Sequence, residues 1–216
     1  MEEHRLTVDR TARLVTLGPL GPLDTTVHQV WIALHGQGQL ASRFARRLQP
    51  LDDGSRLIVL PEGLSRYYVN EAERLVGASW MTTEARLDEI ADYVRYLDQI
   101  TRWLPENAVA APRTVLGFSQ GSATAWRWVT QGSTPPPARL IIWGGEVPPD
   151  LDLGLAAERL QRTRVELVAG ATDPYCTPDR LRRDAEQLGR AGIAVVAVTA
   201  EGGHDVDPTT LAALAG

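Results

Sequence analysis

Short apolar runs bounded by turn residues recur along the chain: Val30 to Leu34, Leu57 to Leu60, Thr114 to Phe118, Leu140 to Trp143, Val165 to Ala169 and Ile193 to Thr199. Each has strand length and little alternation, the pattern of strands covered on both faces. Stretches of helical period separate them. The clearest runs from about Thr82 to Leu104, where Leu87, Ile90, Ala91, Val94 and Leu97 return at helical spacing among charged residues. Another is expected from Thr177, an N-cap followed by Pro178 at the first helical position, to a stop before Gly189 or Gly192. Shorter helices are expected over Leu40 to Leu48, Gln120 to Thr130 and Leu155 to Gln161. This alternation predicts an α/β fold with a mainly parallel central sheet and helices on both faces. Ahead of it, Arg5 to Val8 and Arg13 to Leu17 flank Asp9-Arg10-Thr11 and predict an N-terminal antiparallel hairpin, followed by a loop from Gly18 to Asp24.

The 216 residues show no internal repeat or boundary, so one domain is expected over 1–216, with no room for a large cap. Pro135-Pro136-Pro137 reads as a stiff connector. The longest stretch without clear periodicity, about 20 residues between Leu60 and Thr82, holds Tyr67, Tyr68 and Trp80. Long connections are often functional. Trp80 foremost, and then the tyrosines, are candidates to line an acyl pocket, or else to pack the connection onto the body.

The hydrophobic fraction of 44% suits a packed core, and the composition narrows the chemistry. A formal charge of −5 argues against a nucleic-acid partner, which requires a basic surface for the phosphates. All basic residues other than histidine are arginine, so Schiff-base chemistry and the lysine of a phosphate-cradling loop are absent. The single cysteine, Cys176, excludes an intrachain disulfide and a cysteine-rich metal site. No apolar run approaches a membrane span and no secretory signal opens the chain, so a soluble, cytoplasmic protein is expected.

Against this background Gly117-Phe118-Ser119-Gln120-Gly121 stands out. A Gly-x-Ser-x-Gly pattern alone is weak, but here a strand runs into it and a helix-compatible segment leaves it, the setting of a nucleophile elbow. Gly117 and Gly121 leave room for the strained turn, and the helix start favours developing negative charge on Ser119. A serine hydroxyl needs a base. Of the four histidines, His4 lies in the amino-terminal segment, His28 enters a strand and His35 opens His35-Gly36-Gln37-Gly38. His204 remains, on a loop after Gly202-Gly203 at the carboxyl edge of the sheet, where open α/β sheets bind ligands. Asp173, after the run Val165 to Ala169, is the expected orienting acid, ahead of Glu146 and Asp205. The order Ser119, Asp173, His204 is that of α/β-hydrolases. Leu34-His35-Gly36-Gln37-Gly38 takes the position of the second oxyanion element, so the backbone N–H groups of Gln37 and Gln120 are the expected donors and His35 has a positioning role.

Together, Leu34 to Gly38, Gly117 to Gly121, Gly170-Ala171-Thr172-Asp173-Pro174 and Gly202-Gly203-His204 resemble the phospholipase/carboxylesterase family of α/β-hydrolases, which includes small bacterial carboxylesterases and acyl-protein thioesterases. The segment Trp143 to Pro148 also resembles a strand end of that family. Two positions depart from it: Gln39 where Asp is common, which puts the cap of the next helix in question, and Ser122 where a second Gly is common. The resemblance implies metal-independent hydrolysis of a small-molecule ester or thioester, without a cofactor, and short to medium acyl chains are preferred here. The alternatives are a thioesterase or lysophospholipase acting on long acyl chains, then an acyltransferase or a non-catalytic binding protein on the same fold.

Overall fold

The computed structural model describes residues 1–20 and 27–216. The strands expected from the apolar runs form at β2 (Gln29–Leu34), β3 (Arg56–Pro61), β6 (Arg113–Phe118), β7 (Arg139–Trp143), β8 (Arg164–Gly170) and β9 (Val195–Ala200). With β1 (Leu14–Leu17) they make a sheet of order β1-β3-β2-β6-β7-β8-β9, in which β1 alone is antiparallel. Successive residues point to opposite faces, and both faces are covered. Val30, Ile32, Leu34, Val115, Ile142 and Leu167 feed one core, packed by the helices α2 (Arg86–Trp103), α3 (Glu106–Val109), α4 (Gln120–Gln131), α5 (Leu153–Arg159) and α6 (Pro178–Arg190). Trp31, Ala33, Leu116, Phe118, Ile141 and Trp143 feed the other, packed by α1 (Ala41–Leu48) and α7 (Pro208–Ala215). The α/β architecture predicted from the sequence is the observed one.

The expected N-terminal hairpin does not form. Arg5 to Val8 carries no strand, and β1 pairs instead with β3, Leu14 facing Pro61 and Leu17 facing Ile58. A strand here gains more from β3, which is already half-paired within a buried sheet, than from a local turn beside exposed residues. The antiparallel hairpin of this molecule lies later, at β4 (Ser65–Asn70) and β5 (Leu75–Ser79), inside the connection that showed no periodicity. The expected loop at 18–24 extends into residues outside those described.

Helix α2 begins at Arg86, four residues later than Thr82, because Ala85 adopts a left-handed conformation at its start. Its buried face is Ile90, Tyr93, Val94, Tyr96, Leu97 and Ile100, whereas Leu87 and Ala91, expected inside, are exposed. Helix α6 starts as expected, the Thr177 side chain accepting the Arg180 N–H ahead of Pro178. Helix α5 is shifted two residues towards the amino terminus, because Asp152 accepts the Leu155 N–H as its cap.

The chain leaves β2 through α1 to β3 on one side and returns to β6 on the other. Adjacent strands whose connections diverge leave a crevice at their carboxyl ends. Here that crevice lies between the segment after Leu34 and the segment after Phe118.

Candidate active site

Strand β6 ends at Phe118 and α4 begins at Gln120, so Ser119 makes the whole turn, at φ 54° and ψ −118°. A non-glycine residue there is strained by about 1–3 kcal/mol and persists only when its surroundings hold it. The Ser119 N–H donates to Trp143 O at 2.9 Å, and the buried Ser122 hydroxyl lies 2.8 Å from Gly117 O and 3.1 Å from Trp143 O, tying both ends of the turn to β7. A side chain at Gly117 would collide with the Gly121 carbonyl, and one at Gly121 with the carbonyl of Leu34. Ser122, where a glycine was the common pattern, thus gives the turn a brace.

Asp173 and His204 follow β8 and β9 on neighbouring strand ends. His204 Nδ1 lies 2.8 Å from Asp173 Oδ2, and His204 Nε2 lies 2.9 Å from Ser119 Oγ. An ionised carboxylate can only accept, so the Nδ1–H donates to it, which leaves Nε2 to accept from the serine hydroxyl. Asp173 is 2% exposed, and its Oδ1 accepts the N–H groups of Tyr175 and Cys176 at 2.8 and 3.0 Å. Three donors on one buried carboxylate fix its direction. The competing acids are engaged elsewhere: Glu146 with Arg180, and Asp205 with Arg47. The loop bearing His204 is tied down by the Trp143 indole N–H, which donates to Asp205 O at 3.0 Å. The Phe118 and Tyr175 rings lie 5.0 and 4.8 Å from the imidazole, and Tyr175 is largely exposed. Burial raises the Cys176 thiol to about 11, with the neighbouring Asp173 carboxylate adding to the shift, so this cysteine is a thiol in the frame of the acid loop.

Opposite this trio, His35 to Gly38 passes over the serine: a Cβ on Gly36 would lie 3.1 Å from that of Ser119. No described hydrogen bond takes the backbone N–H of Gln37 or of Gln120, the first residue of α4. Unbonded backbone donors of this kind can meet developing negative charge. His35 is fully buried with both ring nitrogens occupied, Nδ1–H donating to Gly36 O at 2.8 Å and Nε2 accepting the Gly63 N–H at 2.9 Å. Desolvation lowers its pKa, so it is held neutral and holds the loop. Gln39 does not cap α1, whose N-cap Leu40 has no side-chain bond; the buried Glu62 accepts the Ala41 N–H instead, at 3.1 Å. Gln39 Oε1 accepts the Gly36 N–H at 3.0 Å, bracing the loop from within.

Trp80, a candidate either for a pocket wall or for packing the connection onto the body, is only 2% exposed and donates its indole N–H to His35 O at 2.8 Å. It supports the loop from beneath, because its ring is large and its one donor finds a buried carbonyl. Sequence reasoning missed the parts played by Ser122, Glu62, Gln39 and the Gln120 side chain. For Glu62 there was a sign, a carboxylate directly after a buried strand with Arg66 four residues on, and Arg13 and Arg66 both pair with it. Among the described residues, no group of three His, Cys, Asp or Glu side chains is placed to hold a metal ion, and no helix is long and apolar enough to cross a membrane.

No protein-family model and no curated protein matches the chain. Solved structures do match. Acyl-protein thioesterase 2 of Zea mays superposes with a TM-score of 0.72 at 19% identity, covering 95% of this chain and 96% of that one. A phospholipase/carboxylesterase of Dyadobacter fermentans gives 0.68 at 17% identity and 97% coverage of both chains. A carboxylesterase of Bacillus cereus gives 0.66 at 16%, covering 94% of this chain and 92% of its own. These carry the names of the family that the four sequence motifs resemble, and over nearly its whole length the chain has their α/β-hydrolase fold.

Proposed function

We propose that the protein is a serine hydrolase that cleaves carboxylic esters through an acyl-enzyme. The observation that carries this reading is the continuous chain Ser119 Oγ, His204 Nε2, His204 Nδ1, Asp173 Oδ2, with contacts of 2.9 and 2.8 Å. His204 takes the hydroxyl proton as Ser119 Oγ attacks the acyl carbonyl, and Asp173 stabilises the imidazolium. The Gln37 and Gln120 N–H groups receive the oxyanion. Collapse expels the alcohol with the proton from His204. Water, deprotonated by the same histidine, then releases the acid and restores Ser119.

Short to medium acyl groups on a small-molecule ester are the preferred substrates, and a cytoplasmic location goes with this proposal. Thioesters are the second reading, favoured by the neighbour named as an acyl-protein thioesterase. Turnover of p-nitrophenyl butyrate set against a palmitoyl thioester separates the two. A fluorophosphonate should add one mass increment, mapped to Ser119. Ser119→Ala should take no label and lose turnover by on the order of 10⁴-fold or more. Near-normal turnover in Ser119→Ala would discard the mechanism.

A further inference from the structure

The two proposed oxyanion donors belong to different elements, Gln37 to the segment after β2 and Gln120 to the start of α4. One short stretch, Ala78 to Met81 at the end of β5, touches both. On the Gln37 side, the Gly38 N–H donates to Ala78 O at 2.9 Å and the Ala78 N–H donates to Gln39 O at 3.1 Å. Two residues on, the Trp80 indole N–H reaches His35 O at 2.8 Å, its ring 5.0 Å from the imidazole. Gln37 is thus bracketed by bonds on His35, Gly38 and Gln39.

On the other side the partner is the side-chain amide of Gln120. Its Oε1 accepts the Trp80 backbone N–H at 2.9 Å, and its Nε2–H donates to Met81 O at 2.7 Å. The remaining amide hydrogen faces the Ser79 hydroxyl at 3.1 Å. The amide is read as one more peptide group: one acceptor, one donor, matched to neighbouring peptides of the strap. Reversing it would set NH₂ against N–H and carbonyl against carbonyl, so the strap fixes its orientation.

We propose that Ala78 to Met81 is a strap that sets the spacing of the two oxyanion donors, with the Gln120 side chain and Trp80 as positioning residues. The inference rests on the serine-hydrolase reading and deepens it: Gln120 offers its backbone N–H to the oxyanion while its side chain aligns that N–H against the facing loop. A donor displaced by about 1 Å loses much of its effect on the transition state and little of its effect on the ground state.

The test is Gln120→Leu and Gln120→Glu, assayed on a short ester beside fluorophosphonate labelling. Gln120→Leu keeps the backbone N–H but not the clasp, so kcat should fall by roughly 10- to 100-fold with KM within about threefold. Gln120→Glu supplies a readout that a purely structural role would not move. Its ionised carboxylate repels Met81 O, whereas its protonated form donates to that oxygen as the amide does. The variant-to-wild-type ratio of kcat should therefore rise as pH falls towards the carboxyl range, and the ratio removes any pH dependence that the two enzymes share. Trp80→Phe, which deletes the bond to His35 O and trims the buried ring beside it, should lower kcat as well, and the double variant with Gln120→Leu should lose less than the product of the two. A folded Gln120→Leu with kcat within about twofold of wild type overturns the strap, as does a pH-independent Gln120→Glu ratio. Should Gln120→Leu not fold, the Gln120→Glu ratio and Trp80→Phe decide the matter. Wild-type protein that takes no label overturns the hydrolase reading, and the strap with it. Labelled wild type with unchanged variants overturns the strap alone.

Discussion

The two sides of the Ser119 crevice are built on different terms. On one side Asp173 and His204 stand on adjacent strand ends and meet through their side chains, Asp173 bonded to His204 and His204 to Ser119. On the other, the proposed oxyanion donors are backbone amides, and the surrounding loop is bonded through His35, Gln39, Trp80 and the Gln120 side chain. The first side concentrates its function in few atoms. The second spreads it over many modest holds, so single substitutions there should cost less and should move kcat and stability together.

The sharpest test of this contrast is Asp173→Asn. Its amide would face the imidazole with N–H groups and favour the wrong tautomer, and kcat on a short ester should drop by about 10⁴-fold with the fold intact by circular dichroism.

His35→Phe, on the opposite side, should cost only about 10- to 100-fold in kcat while removing two buried hydrogen bonds. It should also change how stability depends on pH. Burial lowers the folded-state pKa of His35 below 6.5, so the unfolded chain binds the extra proton first. The stabilisation is present above about pH 6.5 and is lost as pH falls from there through the folded-state value. Urea titrations between pH 7 and 5 should show a shallower decline in His35→Phe. An equally steep decline would place the sensitivity elsewhere.

The smallest effect is expected at Ser122→Ala. Loss of the hydroxyl that braces the turn should destabilise the protein by about 1–2 kcal/mol in thermal unfolding and change kcat by less than about threefold. A large fall in kcat would mean that the elbow, too, depends on distributed support.

The same contrast explains what could be read in the sequence. Ser119, Asp173 and His204 are chemically distinctive residues at or shortly after the ends of apolar runs, and those runs became strands, all but the edge strand β9 covered on both faces. The supporting side was less legible. Strand β4 is exposed along most of its length and its register shifts between Tyr68 and Asn70, so no alternation marks it. Its turn to β5 closes through Arg74 in a left-handed conformation, without the Asn-Gly or Asp-Gly signal of a hairpin. Trp80 was noticed as a large aromatic in a long connection, but nothing in its spacing says that its indole faces a buried carbonyl. The N-terminal hairpin was misread for the opposite reason: a local turn signal at Asp9 to Thr11 was outweighed by a partner far along the chain, at β3.

Among the described residues, strand β9 lies at the edge of the sheet, paired with β8 alone, and His204 follows it. Edge segments open at lower free energy than the centre of a sheet. The proposed base would therefore depart before the core melts, making inactivation a local event at the carboxyl-terminal end. None of the six tryptophans lies in 195–216, and Trp143 is the one that bonds there, to Asp205. In mild denaturant, hydrolysis would fade while most of the tryptophan emission still reported a native interior.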